Sequence, residues 1–506
     1  MTLKGQDAEG AQAALRKTSL DKDLQKIARV EDATRFVTRR LFAPGLAILF
    51  LAVAGIFASI QIGIQHNAAL IVIAAVLGGY MALNIGANDV ANNVAPAVGS
   101  RALTLTGALI IAAIFESCGA LIAGGDVVNT IAKGIIDPAL VPDAKTFVWA
   151  MMAALLSSAL WVNLATYVGA PVSTTHSVVG GVAGAGIAAI GVAAVNWTTM
   201  SKIAASWVIS PLLGGLIAAL FLAFIKHNII YRDDKIAAAR RWVPVLLAVM
   251  ASTFSCYLVM KGLKRVWKFD YTSVALIGVL VYVVAWGALK PWVSKQSEGL
   301  ENRNQSLRQL FRLPLICSAA LLSFAHGAND VANAVGPLAA ILDTAQSGEI
   351  SAKVGIPLWV MLTGAAGISL GLFLYGPKLI RMVGEQITKM NPMRAFCVAL
   401  SAAITVIIAS TLGLPVSSTH IAVGAVFGVG FFREYYTTHS KRRRNYVNAR
   451  RNDLNSENGE PDPRELRRRK LVRRSHFTVI IAAWLITVPA AAALAGAIFI
   501  IISRFV

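Results

Sequence analysis

The segment Gly86-Ala-Asn-Asp-Val-Ala-Asn-Asn-Val-Ala-Pro-Ala-Val-Gly99 occurs twice in this chain in nearly the same form. From Gly327 the sequence reads Gly-Ala-Asn-Asp-Val-Ala-Asn-Ala-Val-Gly-Pro, so seven consecutive residues are identical. A second motif, Pro171-Val-Ser-Thr-Thr-His176, recurs as Pro415-Val-Ser-Ser-Thr-His420. The offset is 241 residues for the first motif and 244 for the second. Two different motifs that recur at nearly one offset predict a duplicated unit.

The composition is that of an integral membrane protein. Of the 506 residues 56% are hydrophobic and only 14% are charged. Many apolar runs reach the ~18–20 residues that cross a bilayer as a helix, and they do not alternate as barrel strands would. We therefore predict an all-α, multi-pass protein of the cell membrane with about 11 to 13 membrane segments. The candidate runs are 44–64, 68–88, 103–124, 147–168, 203–225, 243–262, 272–290, 314–328, 355–376, 395–413 and 478–502.

The net charge of +21 is confined to a few segments. Between Pro44 and Leu222 the only Lys and Arg residues are Arg101, Lys133, Lys145 and Lys202. By the positive-inside rule, the basic segments are cytoplasmic, with some attraction to anionic membrane lipids. This distribution is not typical of a nucleic-acid partner. The Lys and Arg residues concentrate in 1–42, 226–241, 261–268, 290–312 and 433–474.

The duplicated motifs and the charge pattern together predict the domain organisation. We expect a cytoplasmic polar leader at 1–42, a first transport repeat with an extra span at 43–225, and linkers with connecting spans at 226–312. A second repeat at 313–432, a basic cytoplasmic loop at 433–475 and a last span at 476–506 follow. The four cysteines have no paired spacing, so neither a disulfide framework nor a cysteine metal knuckle is expected.

The Asn-Asp motif lies in an apolar stretch that is too long for one ordinary span. As a continuous helix, residues 68–99 would run roughly 48 Å, against a hydrocarbon core of ~30 Å. Asparagine and aspartate favour turns, and Pro96 removes a backbone donor. The sequence therefore predicts a helix that breaks or re-enters near Asn88-Asp89. The stretch 314–342 is expected to break around Asn329-Asp330 and to end with Pro337.

The Ser/Thr motifs predict two helix N-termini, each placed after a proline. First-turn amides have no acceptor within the helix, and the helix dipole makes them an anion site. The hydroxyls add donors that can rotate toward an oxyanion. Two such termini facing each other would surround a tetrahedral anion. The hydroxyl residues are Ser173, Thr174, Thr175, Ser417, Ser418 and Thr419.

Asp89 and Asp330 would be costly within a membrane unless each had a partner. Their carboxylates, with amide and carbonyl oxygens, are hard ligands suited to Na⁺, and the carboxylates could instead take H⁺. Two like charges 4 Å apart repel by about 4 kcal/mol at an effective dielectric near 20, and an anionic substrate beside the aspartates would meet this repulsion. Bound cations remove the conflict, which predicts a symporter built on broken helices and repeats.

The paired motifs resemble those of the inorganic phosphate transporter (PiT) family. The resemblance covers about residues 68–432 and the last span. It implies phosphate uptake coupled to Na⁺ or H⁺, with no other cofactor, on inverted repeats with re-entrant hairpins. A homo-oligomer is compatible with it. It further implies phosphate contacts from the hydroxyls of the Ser/Thr motifs and from Asp89 and Asp330. The residues it implies for cation and substrate contacts are Asn88, Asp89, Asn92, Asn329, Asp330 and Asn333.

Glu116 resembles the acidic residue that follows the first motif in this family, and it is a candidate for the cation path or for a structural role. The second half has Gly364 near the equivalent place. His176 and His420 could carry protons or could hydrogen-bond the hairpins. The Gly-rich runs are typical of close helix packing, and no nucleotide-binding loop motif occurs.

Three alternatives stay open at this point. A sulfate permease of the same fold would bind a tetrahedral anion of similar size. Phosphate is favoured because it can be protonated and can then donate a hydrogen bond to Asp89 or Asp330. An intramembrane hydrolase would use Ser173 or Ser417 with a neighbouring histidine, although no Gly-x-Ser-x-Gly motif is present. A passive channel would not accumulate its substrate.

Overall fold

A computed structural model describes residues 41–65, 67–262, 269–350, 354–386, 390–450 and 474–505. The Cα packing divides the chain into Met1–Ala52, where α1 begins, and Val53–Val506, which holds every site discussed below. The predicted leader and residues 451–473 of the basic loop lie outside the described residues. The helices are α1 Leu41–Ile62, α2 Ala68–Gly99, α3 Leu105–Ala123, α4 Gly125–Asn129, α5 Ala144–Val168, α6 Thr174–Ile190, α7 Trp197–Ile225, α8 Lys235–Lys261, α9 Tyr271–Gln296, α10 Asn304–Leu310, α11 Arg312–Asp330, α12 Ala332–Ser347, α13 Leu358–Gln386, α14 Pro392–Thr411, α15 Ser418–His439, α16 Lys441–Arg450 and α17 Arg474–Ile502.

Eleven helical segments of the described chain are long and apolar enough to cross a membrane. They coincide with the eleven apolar runs of the sequence, with α11 and α12 counted together as Arg312–Ser347. Helix α6 is apolar but shorter, at 17 residues. The all-α, multi-pass prediction is therefore confirmed.

Polar side chains set where several of these helices begin. Thr104, Asp143, Asn196 and Asp270 each accept a hydrogen bond from a first-turn backbone amide of the helix that follows. These caps satisfy amides that have no acceptor within the helix. The backbone amide of Thr146 is the main cause of a lowered pKa at Asp143, which keeps this carboxylate ionised beside the positive end of α5.

Helix α2 runs without a break through the Asn-Asp motif, so the expected break at Asn88-Asp89 is wrong. The reason lies in where the asparagine side chains bond. Asn84 Nδ2 donates along the helix to the Tyr80 carbonyl at 2.9 Å, while Asn88 bonds to another element. The Asn84 bond runs back to residue i−4 within an intact helix, and Asn88 bonds no backbone group of α2, so neither side chain caps a turn at this place. Pro96 lies within the last turn, where α2 ends three residues later at Gly99.

The second copy of the motif is interrupted only at Val331, between α11 and α12. Val331 keeps helical dihedral angles, φ −57° and ψ −31°. The predicted interruption beside Asn329-Asp330 is thus present as a local irregularity and not as a turn. The expected end at Pro337 is wrong, because α12 continues to Ser347 with the proline inside it.

The chain enters and leaves the α5–α6 hairpin on the same side. The segments before and after the hairpin pair antiparallel at Ile136 and Val195. Backbone bonds flank this bridge, from Asp137 N to Ala194 O at 2.9 Å and from Asn196 N to Ile135 O at 2.8 Å. Helices α5 and α6 therefore form a hairpin whose two ends lie side by side, and its re-entry into one face of the membrane stays a prediction.

Glycines bring the motif helices of each half into backbone contact with the other half. A methyl group at Gly86 of α2 would overlap the Ile368 carbonyl of α13, and one at Gly327 of α11 would overlap the Glu116 carbonyl of α3. Only glycine permits this approach. Equivalent residues thus make equivalent contacts, as a duplicated unit requires.

The helices that carry the Ser/Thr motifs follow the same rule. Gly184 of α6 lies against the Ala492 backbone of α17, and Gly428 of α15 lies against the Gly215 backbone of α7. Each of these helices therefore packs on a helix that follows the other hairpin in sequence. This exchange ties the two halves into one core around the motifs.

Helices extend into the segments that were predicted as polar linkers. Helix α7 continues through a π-helical turn at Lys226–Ile230, and α8 begins at Lys235. Helix α15 runs to His439, beyond the predicted end of the second repeat, and α16 follows it. Basic side chains on these ends keep the helices polar where they leave the apolar run.

Candidate functional site

Asn88 and Asn329 hold the tips of the two hairpins in the same way. Asn88 Nδ2 donates to Thr166 Oγ1 at 2.9 Å, and its Oδ1 accepts from the Val172 amide at 3.3 Å. Asn329 Nδ2 donates to Ser410 Oγ at 2.9 Å, and its Oδ1 accepts from the Val416 amide at 3.2 Å. Each motif thus fixes the loop that precedes the Ser/Thr helix of its own half.

Ser173 and Ser417 are the N-caps of α6 and α15. Their hydroxyl oxygens accept from the backbone amides of His176 at 3.1 Å and His420 at 3.3 Å. The amides that come between have no acceptor among the described residues. Both hairpins therefore present free first-turn donors, as an anion site requires. The residues with these free amides are Thr174, Thr175, Ser418 and Thr419.

Both hairpins converge on Asp89, which is 1% exposed. Thr174 Oγ1, from the first hairpin, donates to Asp89 Oδ2 at 2.7 Å. Thr419 Oγ1, from the second, donates to Asp89 Oδ1 at 3.1 Å and accepts from Asn92 Nδ2 at 2.7 Å. The first motif therefore contacts the Ser/Thr motifs of both halves.

The second motif makes a related but less complete set of contacts. Asp330 Oδ2 accepts from Ser418 Oγ at 3.1 Å. Asn333 Nδ2 donates to Thr175 Oγ1 at 3.1 Å. Asp330 Oδ1 and Asn333 Oδ1 are buried and have no hydrogen-bond partner among the described residues. Such oxygens are costly unless a ligand or water satisfies them.

His326 joins the two aspartates, although the repeated motifs do not predict it. Its Nε2 lies 2.9 Å from Asp330 Oδ2 and 3.8 Å from Asp89 Oδ2, and the ring is fully buried. The sequence held a signal, because the residue before Gly327 is a histidine and the residue before Gly86 is an isoleucine. Where one repeat has an apolar residue and the other has a polar residue at the same position, the polar residue is a candidate for a function that only one repeat has.

Glu116 completes the cluster from α3. Its Oε1 accepts from Asn93 Nδ2 at 2.7 Å and lies 3.3 Å from His326 Nδ1. The residue that takes its place in the second half is Ile368, because Ile368 meets Gly86 as Glu116 meets Gly327. The expectation that Gly364 stands at this place is therefore wrong. The equivalent residue, Ile368, follows Gly364 by four residues, which is about one helical turn.

The two motif histidines pack against each other between the hairpins. The rings of His176 and His420 are 4.4 Å apart, and Trp207 of α7 covers His176 at 3.7 Å between ring centroids. His176 Nδ1 also lies 2.6 Å from Ser173 Oγ. Hydrogen bonding within the first hairpin, one of the two roles considered for this residue, is thus present.

The electrostatics of the cluster favour cations. Three carboxylates, from Asp89, Asp330 and Glu116, lie within 4 Å of one imidazole, and no Lys or Arg of the described chain pairs with any of them. Oxygens of Asp89 and Asp330 lie with a His326 nitrogen within 4.8 Å of one another. One imidazolium cannot neutralise three carboxylates, so additional positive charge or protons stabilise the arrangement.

A membrane-buried cluster of paired repeat motifs, with hairpin N-termini beside acidic residues, defines a multi-pass membrane transporter and not an enzyme. The chain belongs to the phosphate transporter family, whose sequence model matches residues 85–495. It is accordingly a phosphate transporter of the cell membrane.

Proteins of similar sequence match this chain along most of its length. A Helicobacter pylori (strain ATCC 700392 / 26695) protein that is provisionally named a phosphate permease is 46% identical, over 94% of this chain and 98% of that protein. A Pyrococcus horikoshii protein with the same provisional name is 35% identical, over 85% and 97%. A solved structure described as the sodium-dependent phosphate transporter superposes with a TM-score of 0.76 at 35% identity, covering 87% of this chain and all of that one.

Proposed function

We propose that this protein imports inorganic phosphate by symport with a cation, and that the cation is Na⁺. One observation carries the proposal. Both aspartates and both hairpin N-termini meet in a single buried cluster, in which Asp89 accepts hydrogen bonds from Thr174 and Thr419. Anion and cation sites that share side chains are occupied together, because each charge stabilises the other.

Phosphate is held, in this proposal, between the first turns of α6 and α15. The free amides and the hydroxyls of Thr174, Thr175, Ser418 and Thr419 are the donors. Ser173 and Ser417 shape the two N-termini as caps and contribute hydroxyl oxygens. A phosphate that is still protonated donates to Asp89 or Asp330, and sulfate has no proton for this bond. The aspartates therefore favour phosphate over sulfate.

The cations bind among the oxygens of the two Asn-Asp motifs. Asp89, Asp330 and Glu116 supply negative charge, and Asn333 supplies an unpartnered amide oxygen. Asn92 and the hairpin-holding Asn88 and Asn329 complete the oxygen-rich surroundings. Hard oxygen ligands and excess negative charge suit Na⁺. The sodium dependence of the structurally similar transporter supports the same choice.

The two repeats take opposite orientations in the membrane, in this proposal. The first hairpin returns to its own side, so that five crossings, α2, α3, α7, α8 and α9, lie between the start of α2 and the start of α11. An odd number of crossings inverts the second repeat. Inverted repeats that meet at one midplane site are the usual basis of alternating access.

Replacing Ser173, Thr174 and Thr175 with alanine is expected to weaken phosphate binding by roughly tenfold or more, because three hydroxyls near the oxyanion are lost. Equilibrium binding of labelled phosphate to the purified protein measures this. Ser206→Ala serves as the control, since among the described residues that hydroxyl bonds only to the Ile203 carbonyl of its own helix. An unchanged affinity in the triple variant would refute the placement of phosphate.

A further inference from the structure

A basic cavity lies away from the transport site, at the end of α2. Its volume is about 500 Å³, and it lies between the C-terminus of α2, helix α10 and the first turns of α11 and α14. The helix rise places it roughly 14 Å along α2 from Asn92. Its basic and amide side chains are Arg101, Gln305, Arg308, Gln309, Arg312 and Arg394.

The charge of the cavity is unbalanced. Four arginines line it and no acidic residue does, and none of the four forms an ion pair with an acid within the described chain. Arg394 also lies within Coulombic range of Arg308. Like charges held around one cavity repel, so the arrangement is stabilised by a bound anion. Guanidinium groups bind phosphate oxygens in bidentate geometry.

The backbone at Arg101 gives an independent reason to expect a ligand. Arg101 has φ 60°, in the left-handed region, and follows the C-cap of α2. Its amide bonds to Val98 O at 2.9 Å, and the Ala102 amide bonds to Ala97 O at 2.9 Å. This is the Schellman pattern, in which the left-handed position is usually glycine.

Two other helices of this chain end in the same pattern and use glycine. At the end of α5, Gly169 has φ 81° and the Ala170 amide bonds to Ala165 O. At the end of α14, Gly413 has φ 67° and the Leu414 amide bonds to Ala409 O. An arginine at this position is strained, and such strain is found where a side chain serves a ligand.

We propose that this cavity binds an anion that carries phosphate groups, at a site separate from the transport site. The neighbouring basic segments place it on the cytoplasmic side. Its volume exceeds that of a single phosphate ion and suits a diphosphate or a phosphate ester. The same chemistry is offered by soluble cytoplasmic anions and by the headgroups of anionic phospholipids.

Arg101→Gly is the discriminating variant, because glycine suits the left-handed backbone at this position while the substitution removes the arginine side chain with its guanidinium group. Calorimetric titration of the lipid-stripped full-length protein with pyrophosphate should give a dissociation constant that is roughly tenfold or more larger in this variant than in the wild type. Arg312→Gln should act in the same direction. Arg303→Gly is the matched control, since Arg303 pairs with Glu301 outside the cavity. Phosphate transport tests the main site separately.

A second arm identifies the source of the phosphate group. Protein reconstituted in phosphatidylcholine with added phosphatidic acid is released in detergent, and native mass spectrometry counts the bound lipid. Retention of phosphatidic acid that is lost in Arg101→Gly would support a headgroup site, and pyrophosphate binding alone would support a soluble anion. If Arg101→Gly and Arg312→Gln match the wild type in both arms, or neither probe binds, the proposal is overturned.

Discussion

Replacing Asp89 with asparagine is expected to reduce phosphate uptake into proteoliposomes by roughly 100-fold or more. Asparagine keeps the shape of the side chain but removes the charge that balances the cation. Asp89 also accepts one hydrogen bond from each hairpin, through different oxygens, and asparagine with its single acceptor oxygen can keep only one of the two. Asp330→Asn should have an effect of the same kind, because Asp330 accepts from Ser418 and contacts His326.

The control for these variants is Asp233→Asn, which removes the same charge from an exposed position. All three proteins should reach the membrane and elute as single species in detergent. Uptake at the wild-type rate in both Asp89→Asn and Asp330→Asn would defeat the assignment of the site.

Replacing Gly327 with alanine is expected to destabilise the folded protein by about 3 kcal/mol or more. The new methyl group would overlap backbone atoms of Glu116, which cannot move aside as the end of a flexible side chain can. Helices α11 and α3 would have to separate, and this would displace Glu116 from His326. The loss of stability is measured as the fall in the melting temperature of the purified protein, with size exclusion after each heating step to detect unfolded protein.

Gly287→Ala is the matched control within the same protein. Gly287 lies inside α9, and a methyl group there would meet nothing within 4 Å. Alanine is the better helix former at such a site, so stability should be unchanged or slightly higher. Equal melting temperatures for Gly327→Ala and the wild type would contradict the close approach of α11 and α3.

Much of the architecture could be predicted from the sequence, because hydrophobic runs and proline positions have direct structural consequences in a membrane. Long apolar runs identified the spans, because a bilayer leaves helices as their only form. The prolines before the Ser/Thr motifs identified the starts of α6 and α15, since proline and hydroxyl residues favour the first positions of a helix. The capping bonds of Ser173 and Ser417 agree with this.

Long-range partners were harder to infer. Local rules for Asn88 predicted a broken helix, but its side chain bonds to Thr166, 78 residues away, and α2 stays intact. His326 lies just outside the identical part of the two repeats, so repeat identity gives no signal for it, whereas the difference between His326 and Ile85 does. The second-half equivalent of Glu116 was expected near Gly364, one helical turn before Ile368, because small offsets between repeats shift at loops.

The most direct measurement of the central claim is labelled phosphate uptake into proteoliposomes, with Na⁺ and pH gradients imposed separately. We predict that an inward Na⁺ gradient alone drives phosphate above its equilibrium level inside the vesicles. We also predict that a large excess of unlabelled sulfate leaves this uptake unchanged. Phosphate that only equilibrates, whichever gradient is imposed, would contradict a site that binds phosphate and cation together.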